Sequence, residues 1–97
     1  MRIGILNSAN NDLIDGYWFY EKQMEGIGSY FLNSLFSDID SLKIYAGIHP
    51  IHFEKYHRLL AKRFPFAIYY CVKNDTAFIY AVLDCRRNPA WIRNKLE

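Results

Sequence analysis

A chain of 97 residues, 52% hydrophobic, 18% aromatic and 23% charged, has the length and composition of one folded domain, which excludes multidomain machinery, intrinsic disorder and collagen-like structure. Its apolar runs are short and broken by charge, which excludes a membrane-spanning helix, and residues 1–20 carry no pattern of a secretory leader, so a soluble cytoplasmic protein without membrane association is expected. The formal charge of +2 conceals two unlike halves: residues 1–54 carry three basic against seven acidic side chains and residues 55–97 nine basic against three acidic, so the second half offers a face to an anionic partner, nucleic acid or an acidic protein segment.

Residues 2–6, short and β-branched, predict an opening strand, and residues 7–11, rich in turn and capping types, predict the connection after it. From residue 11 to 24, Leu13, Tyr17, Tyr20 and Met24 recur at helical spacing while Asp12, Asp15, Glu21 and Lys22 fall elsewhere, which predicts an amphipathic helix. Gly26 and Gly28 punctuate it. A second helical pattern then runs through Ile27, Phe31, Leu35, Ile39, Leu42 and Ala46 until Gly47 and Pro50 stop it, so the two helices are expected to form an antiparallel hairpin.

After a loop at residues 47–55 the period changes to two. Residues 57–63 predict a strand, followed by strands at 66–72 and 76–83 joined by a tight turn at Asn74 and Asp75. Strict alternation in the last strand puts Phe78, Tyr80 and Val82 on one face and Ala77, Ile79, Ala81 and Leu83 on the other, and the apolar character of both faces places it centrally in the sheet. Asn88-Pro89 fits an N-cap with proline at the first helical position, which predicts a terminal helix over 89–96. The class is α+β: an N-terminal strand, an antiparallel helical hairpin packed on a small, mostly antiparallel, twisted sheet, and a short C-terminal helix, with no internal repeat or linker.

With Asn74 and Asp75 in the turn, paired residue numbers sum to about 149, so Arg86 is expected to face Arg63 and Arg87 to face Lys62. Those four cations, with Arg93 and Lys95 on the terminal helix, would crowd one end of the sheet and repel one another unless a carboxylate such as Asp84 or an anionic partner offsets them. A plainer account is a sheet edge defended by charge. Trp91, among these cations, is read first as the residue pinning the helix to the sheet and second as an anchor for a target.

Three other patterns carry less. In the same register Cys71 lies opposite Phe78 and Cys85 opposite Phe64, roughly seven residues or about 23 Å apart along the strands, whereas a disulfide needs Cα atoms within about 7 Å; both are expected to be ordinary thiols. His49, His52 and His57 fall in and beside a Pro-containing loop without a completing cysteine or carboxylate, so no metal site is expected. No nucleophilic triad signature and no phosphate-binding Gly-rich loop is present, and no cofactor is implied.

Residues 62–70 (KRFPFAIYY), 72–76 (VKNDT) and 81–89 (AVLDCRRNP) resemble the C-terminal half of RelE/ParE-superfamily toxins of bacterial type II toxin–antitoxin systems, and Ala9, Asp12 and Leu13 resemble the start of that family's first helix. The likeness is strongest over residues 56–91 and agrees with the element order of the whole chain. It implies a cognate antitoxin that folds over the toxin in a hetero-oligomer, with Lys62, Arg63, Arg86, Arg87, Trp91, Arg93 and Lys95 as target- or antitoxin-binding residues. It also implies one of two activities. ParE-type members poison DNA gyrase by protein contact; RelE-type members cleave mRNA on the ribosome with Lys, Arg and Tyr side chains, which must neutralise the scissile phosphate and move protons at the ribose and the leaving oxygen. Here Ala67 stands where a RelE-like protein supplies a catalytic arginine, which favours the gyrase inhibitor, although Arg58, Lys62, Arg63, Tyr69 and Tyr70 leave the ribosome-dependent nuclease as the alternative. A non-toxic antitoxin-binding module is the third reading.

Overall fold

The sheet is built outward from its most apolar hairpin. In the computed structural model, which describes all of Met1–Glu97, β4 (Phe66–Lys73) and β5 (Thr76–Asp84) pair antiparallel around Asn74 and Asp75, whose φ values of 51° and 57° lie in the left-handed region. Asn and Asp tolerate that region best, and a turn so made matches the twist of the strands. On one side β1 (Arg2–Ile5) joins β5 in parallel; on the other β3 (Tyr56–Leu60) and then β2 (Ile51–His52) add antiparallel, giving the order β1-β5-β4-β3-β2. The segment expected as loop thus contains a short edge strand, and the strand expected over 57–63 ends at Leu60.

The hairpin register holds from Lys73↔Thr76 to Tyr70↔Ile79 and then slips by one residue, so that Tyr69 pairs with Ala81 and Phe66 with Asp84. Tyr80 is the extra residue of a β-bulge. The strict alternation predicted for β5 therefore fails: Val82 joins Ala77 and Ile79 in one core cluster, while Ala81 and Leu83 belong to the other, with Tyr80 packed against them. Two apolar faces give no polar marker of where an alternation changes phase, and a bulge changes it by inserting one residue.

The bulge also accounts for the start of α1 (Asn7–Glu21), four residues earlier than predicted. The β1 ladder stops at Ile5↔Ile79, which leaves the outer edge of β5 without a strand beyond that point. Side chains of α1 take over: the Ser8 hydroxyl donates to the Tyr80 carbonyl at 2.7 Å, and an Asp12 carboxylate oxygen accepts the Val82 N–H at 3.0 Å. Ala9, between them, is fully buried. A buried backbone group needs a partner, and that tertiary demand outweighs the turn preference of the Asn-rich segment.

α1 ends at Glu21, so Met24, expected on its apolar face, sits in the turn and is 60% exposed. α2 (Ile27–Asp40) returns antiparallel, since Tyr17 and Glu21 lie near Gly28 while the earlier Gly16 lies near Phe31. At Gly28 a Cβ would stand 2.7 Å from the Tyr17 carbonyl oxygen, so only glycine allows this approach, and the Glu21 carboxylate accepts the N–H groups of Gly26 and Gly28 at the start of α2. The helix predicted as continuous over 27–46 breaks at Ser41, whose hydroxyl donates to the Asp38 carbonyl at 2.6 Å and competes with the helical ladder; α3 (Leu42–Tyr45) follows.

The two sheet faces are covered unequally. Leu13, Phe31, Leu35, Ile39 and Leu42 from α1–α3 bury Phe66, Ile68, Tyr70, Ile79 and Val82, extended by an aromatic stack of Tyr20, Phe31, Phe64 and Phe66. The opposite face carries Tyr56, Ala67, Tyr69, Ala81 and Leu83 beneath Ile92 and Leu96 of α4 (Pro89–Leu96) alone. No helix is long and apolar enough to cross a membrane.

Candidate functional site

The chain leaves β5 at Asp84 and turns into α4, and this turn sets the position of most of the expected cations. One Asp84 carboxylate oxygen accepts the Arg86 backbone N–H at 2.8 Å and its Nε at 3.0 Å, while the other takes Nη2 at 2.7 Å. This fork holds the Asp84 carboxyl below its ordinary range, chiefly through the hydrogen bonds from the Arg86 side chain. Asn88 then caps α4, its side-chain oxygen accepting the Ala90 N–H at 2.7 Å, with Pro89 at the first position as predicted. At the far end the buried Tyr56 hydroxyl donates to the Leu96 carbonyl at 2.8 Å and ties the last turn to the sheet.

The expected pairing of Arg86 with Arg63 and Arg87 with Lys62 does not occur. The bulge moves the register by one and the ladder ends at Phe66↔Asp84; beyond it the Cys85 N–H donates to the Pro65 carbonyl at 2.8 Å, not opposite Phe64 as the unbroken register required. Lys62 and Arg63 are exposed in the β3–β4 connection, where the Lys62 backbone N–H donates to the buried Asp38 carboxylate at 3.1 Å. They lie toward the same end of the hairpin but on the side of α2.

Arg87, in the turn before α4, lies beside Trp91 and Lys95, which stand a turn apart on the helix. The Arg87 guanidinium carbon is 4.0 Å from the Trp91 ring centroid and Lys95 Nζ is 5.4 Å from it. On the other flank of α4, Arg93 sits 5.6 Å from the Phe53 ring, and Lys55 5.3 Å from Tyr56 and 5.8 Å from Tyr80. The molecule has two salt bridges within 4.0 Å, Lys43–Asp40 and Arg86–Asp84. The other cations of this band rest on aromatic rings and form no direct ion pair.

Two open grooves flank α4. The smaller, about 220 Å³, runs between α1, β5 and α4, with Phe19 and Trp91 as walls and Asp12, Asp15, Arg87 and Lys95 at its rim. Burial raises the Asp12 carboxyl above the ordinary carboxylate range, against the Val82 N–H and the nearby Lys95, which favour its charge. The larger, about 970 Å³, is bordered by Phe53, Lys55, Tyr80 and Arg93. Sequence reasoning missed Phe53, Lys55 and Tyr80 as parts of the band. Phe53 and Glu54 in the β2–β3 turn have φ of 56° and 63°, an unusual conformation for a bulky residue, and this turn presents the Phe53 ring to Arg93.

Ala67 is fully buried beneath α4, and Tyr69 and Tyr70 are 3% and 0% exposed. Arg58 pairs with Tyr69 across β3 and β4, and the Tyr70 hydroxyl accepts the Gly47 N–H at 2.9 Å and bonds His49 Nδ1. His57 stacks on the same Tyr70 ring, so two of the three histidines serve one phenol. Cys71 and Cys85 are free thiols.

No family model matches the chain, and no curated protein matches it. Among solved structures, a chain of the chromosomal ParDE toxin–antitoxin (TA) system from P. aeruginosa superposes with a TM-score of 0.78 at 19% sequence identity, over 84% of this chain and 92% of that one. The fold is that of a ParDE-system chain. The α+β architecture expected from the resemblance is thus the one found, down to the order of helical hairpin, antiparallel strands and terminal helix.

Proposed function

We propose that this protein is the toxin of a type II toxin–antitoxin module of the plasmid-stabilisation kind, ParE-like, which inhibits growth by contacting DNA gyrase and is neutralised by a cognate antitoxin. The observation that carries this reading is the band of cations on aromatic rings along α4, set on a fold shared with a chain of a ParDE system. A Trp flanked by Arg and Lys that form no ion pair within 4.0 Å has the composition of a protein–protein hot spot for an acidic partner. An antitoxin segment that folds on binding would cover the same band. The burial of Ala67, Tyr69 and Tyr70 weighs against mRNA cleavage, since none of them presents a group to a phosphate or a ribose.

The test is DNA cleavage by purified gyrase with ATP and supercoiled plasmid, titrated with this protein with and without the product of the neighbouring gene. Accumulation of linear, protein-linked DNA, suppressed by the neighbour and lost in the Arg86→Glu/Arg87→Glu variant, is the expected result. Growth arrest without such cleavage would replace gyrase by the ribosome as target; absence of both would leave an antitoxin-binding module.

A further inference from the structure

His49 and Tyr70 meet where the chain leaves α3 and enters β2, and the protons available to them allow one arrangement. The Tyr70 side chain is fully buried and its hydroxyl has two partners, the Gly47 N–H at 2.9 Å and His49 Nδ1. A phenol has one proton to give. The Gly47 N–H can only donate, so the phenol oxygen accepts from it and the phenol proton goes to His49 Nδ1. With the proton on Nδ1 instead, the buried hydroxyl hydrogen would have no acceptor, whereas no buried side-chain polar atom of this molecule lacks a partner. His49 is therefore neutral, its own proton on Nε2.

The second histidine of the cluster is built differently. His57 Nδ1 lies 2.7 Å from the His49 carbonyl, which only accepts, so this nitrogen carries a proton whether the ring is neutral or charged. A proton taken up from solvent by His49 at Nδ1, by contrast, turns its acceptor into a donor that faces a donor. The surroundings favour the neutral ring. His57, stacked on Tyr70 from β3, is the charge that bears on His49; Lys43 of α3 is paired with Asp40 at 2.8 Å, and His52 of β2 responds to burial and to Arg58. Burial, then His57, holds His49 below its ordinary 6.5, and burial lifts the Tyr70 phenol above its ordinary range, so near neutral pH both groups are in the state the bond requires.

What this bond holds has few other ties. β2 is two residues long and pairs only with β3, shorter than strands ordinarily are. The turn after it keeps Phe53 and Glu54 at positive φ and stands the Phe53 ring beside Arg93. We propose that His49 is a proton-operated latch: as a neutral acceptor it fastens residues 47–55 to the sheet through Tyr70, and on protonation it releases them, loosening β2 and the turn that sets Phe53 against Arg93. The latch is independent of the toxin reading, because it is defined by the opening of the segment itself.

Hydrogen exchange and imidazole nitrogen NMR of the purified chain over a pH series test it. At about pH 7.5 His49 is expected to carry its proton on Nε2 alone. The amides of Lys55 and Arg58, which donate to the carbonyls of His52 and Pro50, report on the segment. Corrected for intrinsic exchange, their protection should fall at least about threefold between about pH 7.5 and about pH 5, and stay at least about a hundredfold below that of β4 and β5, which marks the opening as local. His49→Gln should remove the pH dependence and His52→Gln, in the same segment, should keep it. A neutral His49 protonated on Nδ1 would overturn the proposal. So would protection that ignores pH, that equals that of β4 and β5, or whose pH dependence survives His49→Gln.

Discussion

The two faces of the same sheet are built to different ends. On the helix side, α1 and α2 seal Phe31, Leu35, Ile68, Tyr70 and Ile79 at 0% exposure, and the charges that reach this core, Asp12 and Asp38, each accept a backbone N–H. On the other side one eight-residue helix covers five buried sheet residues with its own Ile92 and Leu96, and the surrounding cations rest on rings and form no direct ion pair. The first face is sealed by helices; the second carries cations over aromatic rings, as the proposed recognition of a partner requires. The stability of a small domain can be concentrated on one side of its sheet, which frees the other for recognition.

The sharpest way to break this contrast is Phe31→Ala, expected to destabilise the whole fold by about 3–5 kcal/mol in urea unfolding, as truncation of a fully buried aromatic does. Gly16→Ala should also act globally, because its Cβ would lie 2.5 Å from the Phe31 ring, at a cost of about 1–3 kcal/mol. Ile92→Ala on the opposite face is expected to cost about 2 kcal/mol and to raise hydrogen exchange in α4 before the rest of the sheet. If α4 and the helix-side core lost protection together, the two faces would be one cooperative unit and the division drawn above would fail. Arg87→Glu with Lys95→Glu should shift the melting temperature little and weaken binding of the acidic partner at least about tenfold, measured by calorimetry.

The smallest effect concerns pH. His49 is held below its ordinary 6.5, first by burial and then by His57, so the unfolded chain binds this proton more readily than the folded one. Stability is complete above pH 6.5 and declines as pH falls from there toward the lowered value; His49→Gln should flatten that part of the curve in denaturation series. Asp84, held low by Arg86, behaves in a second window: its contribution is present above its ordinary 3.8 and is lost as pH falls through the lower folded value.

How much of this was legible in the sequence varies with the signal. The helical hairpin was, because Leu13, Phe31, Leu35 and Ile39 keep helical spacing against polar neighbours, and so was the Asn74-Asp75 turn, where local chemistry decides the conformation. The Tyr80 bulge was not, because a strand apolar on both faces carries no mark of phase. The same gap displaced the site: its cations were identifiable from charge alone, but their partners were inferred from a register that the bulge alters. Phe53, Lys55 and Tyr80 escaped because a cation over a ring is a tertiary contact with no sequence period. The start of α1 escaped because Ser8 and Asp12 answer a need created by β5, nearly at the opposite end of the chain.

The parallel ladder of β1 on β5 has a consequence in time. Residue 2 pairs with residue 76 and residue 5 with residue 79, so β1, once made, has no partner until almost all of these residues have been made. Pairing of such distant segments is slow to form, since the long loop must close before any of its bonds is gained. Ser8 and Asp12, which hold the bulge, wait with it. During synthesis the sheet therefore cannot be completed until β5 is made, and the α4 surface, which follows β5 in the chain, is made later still.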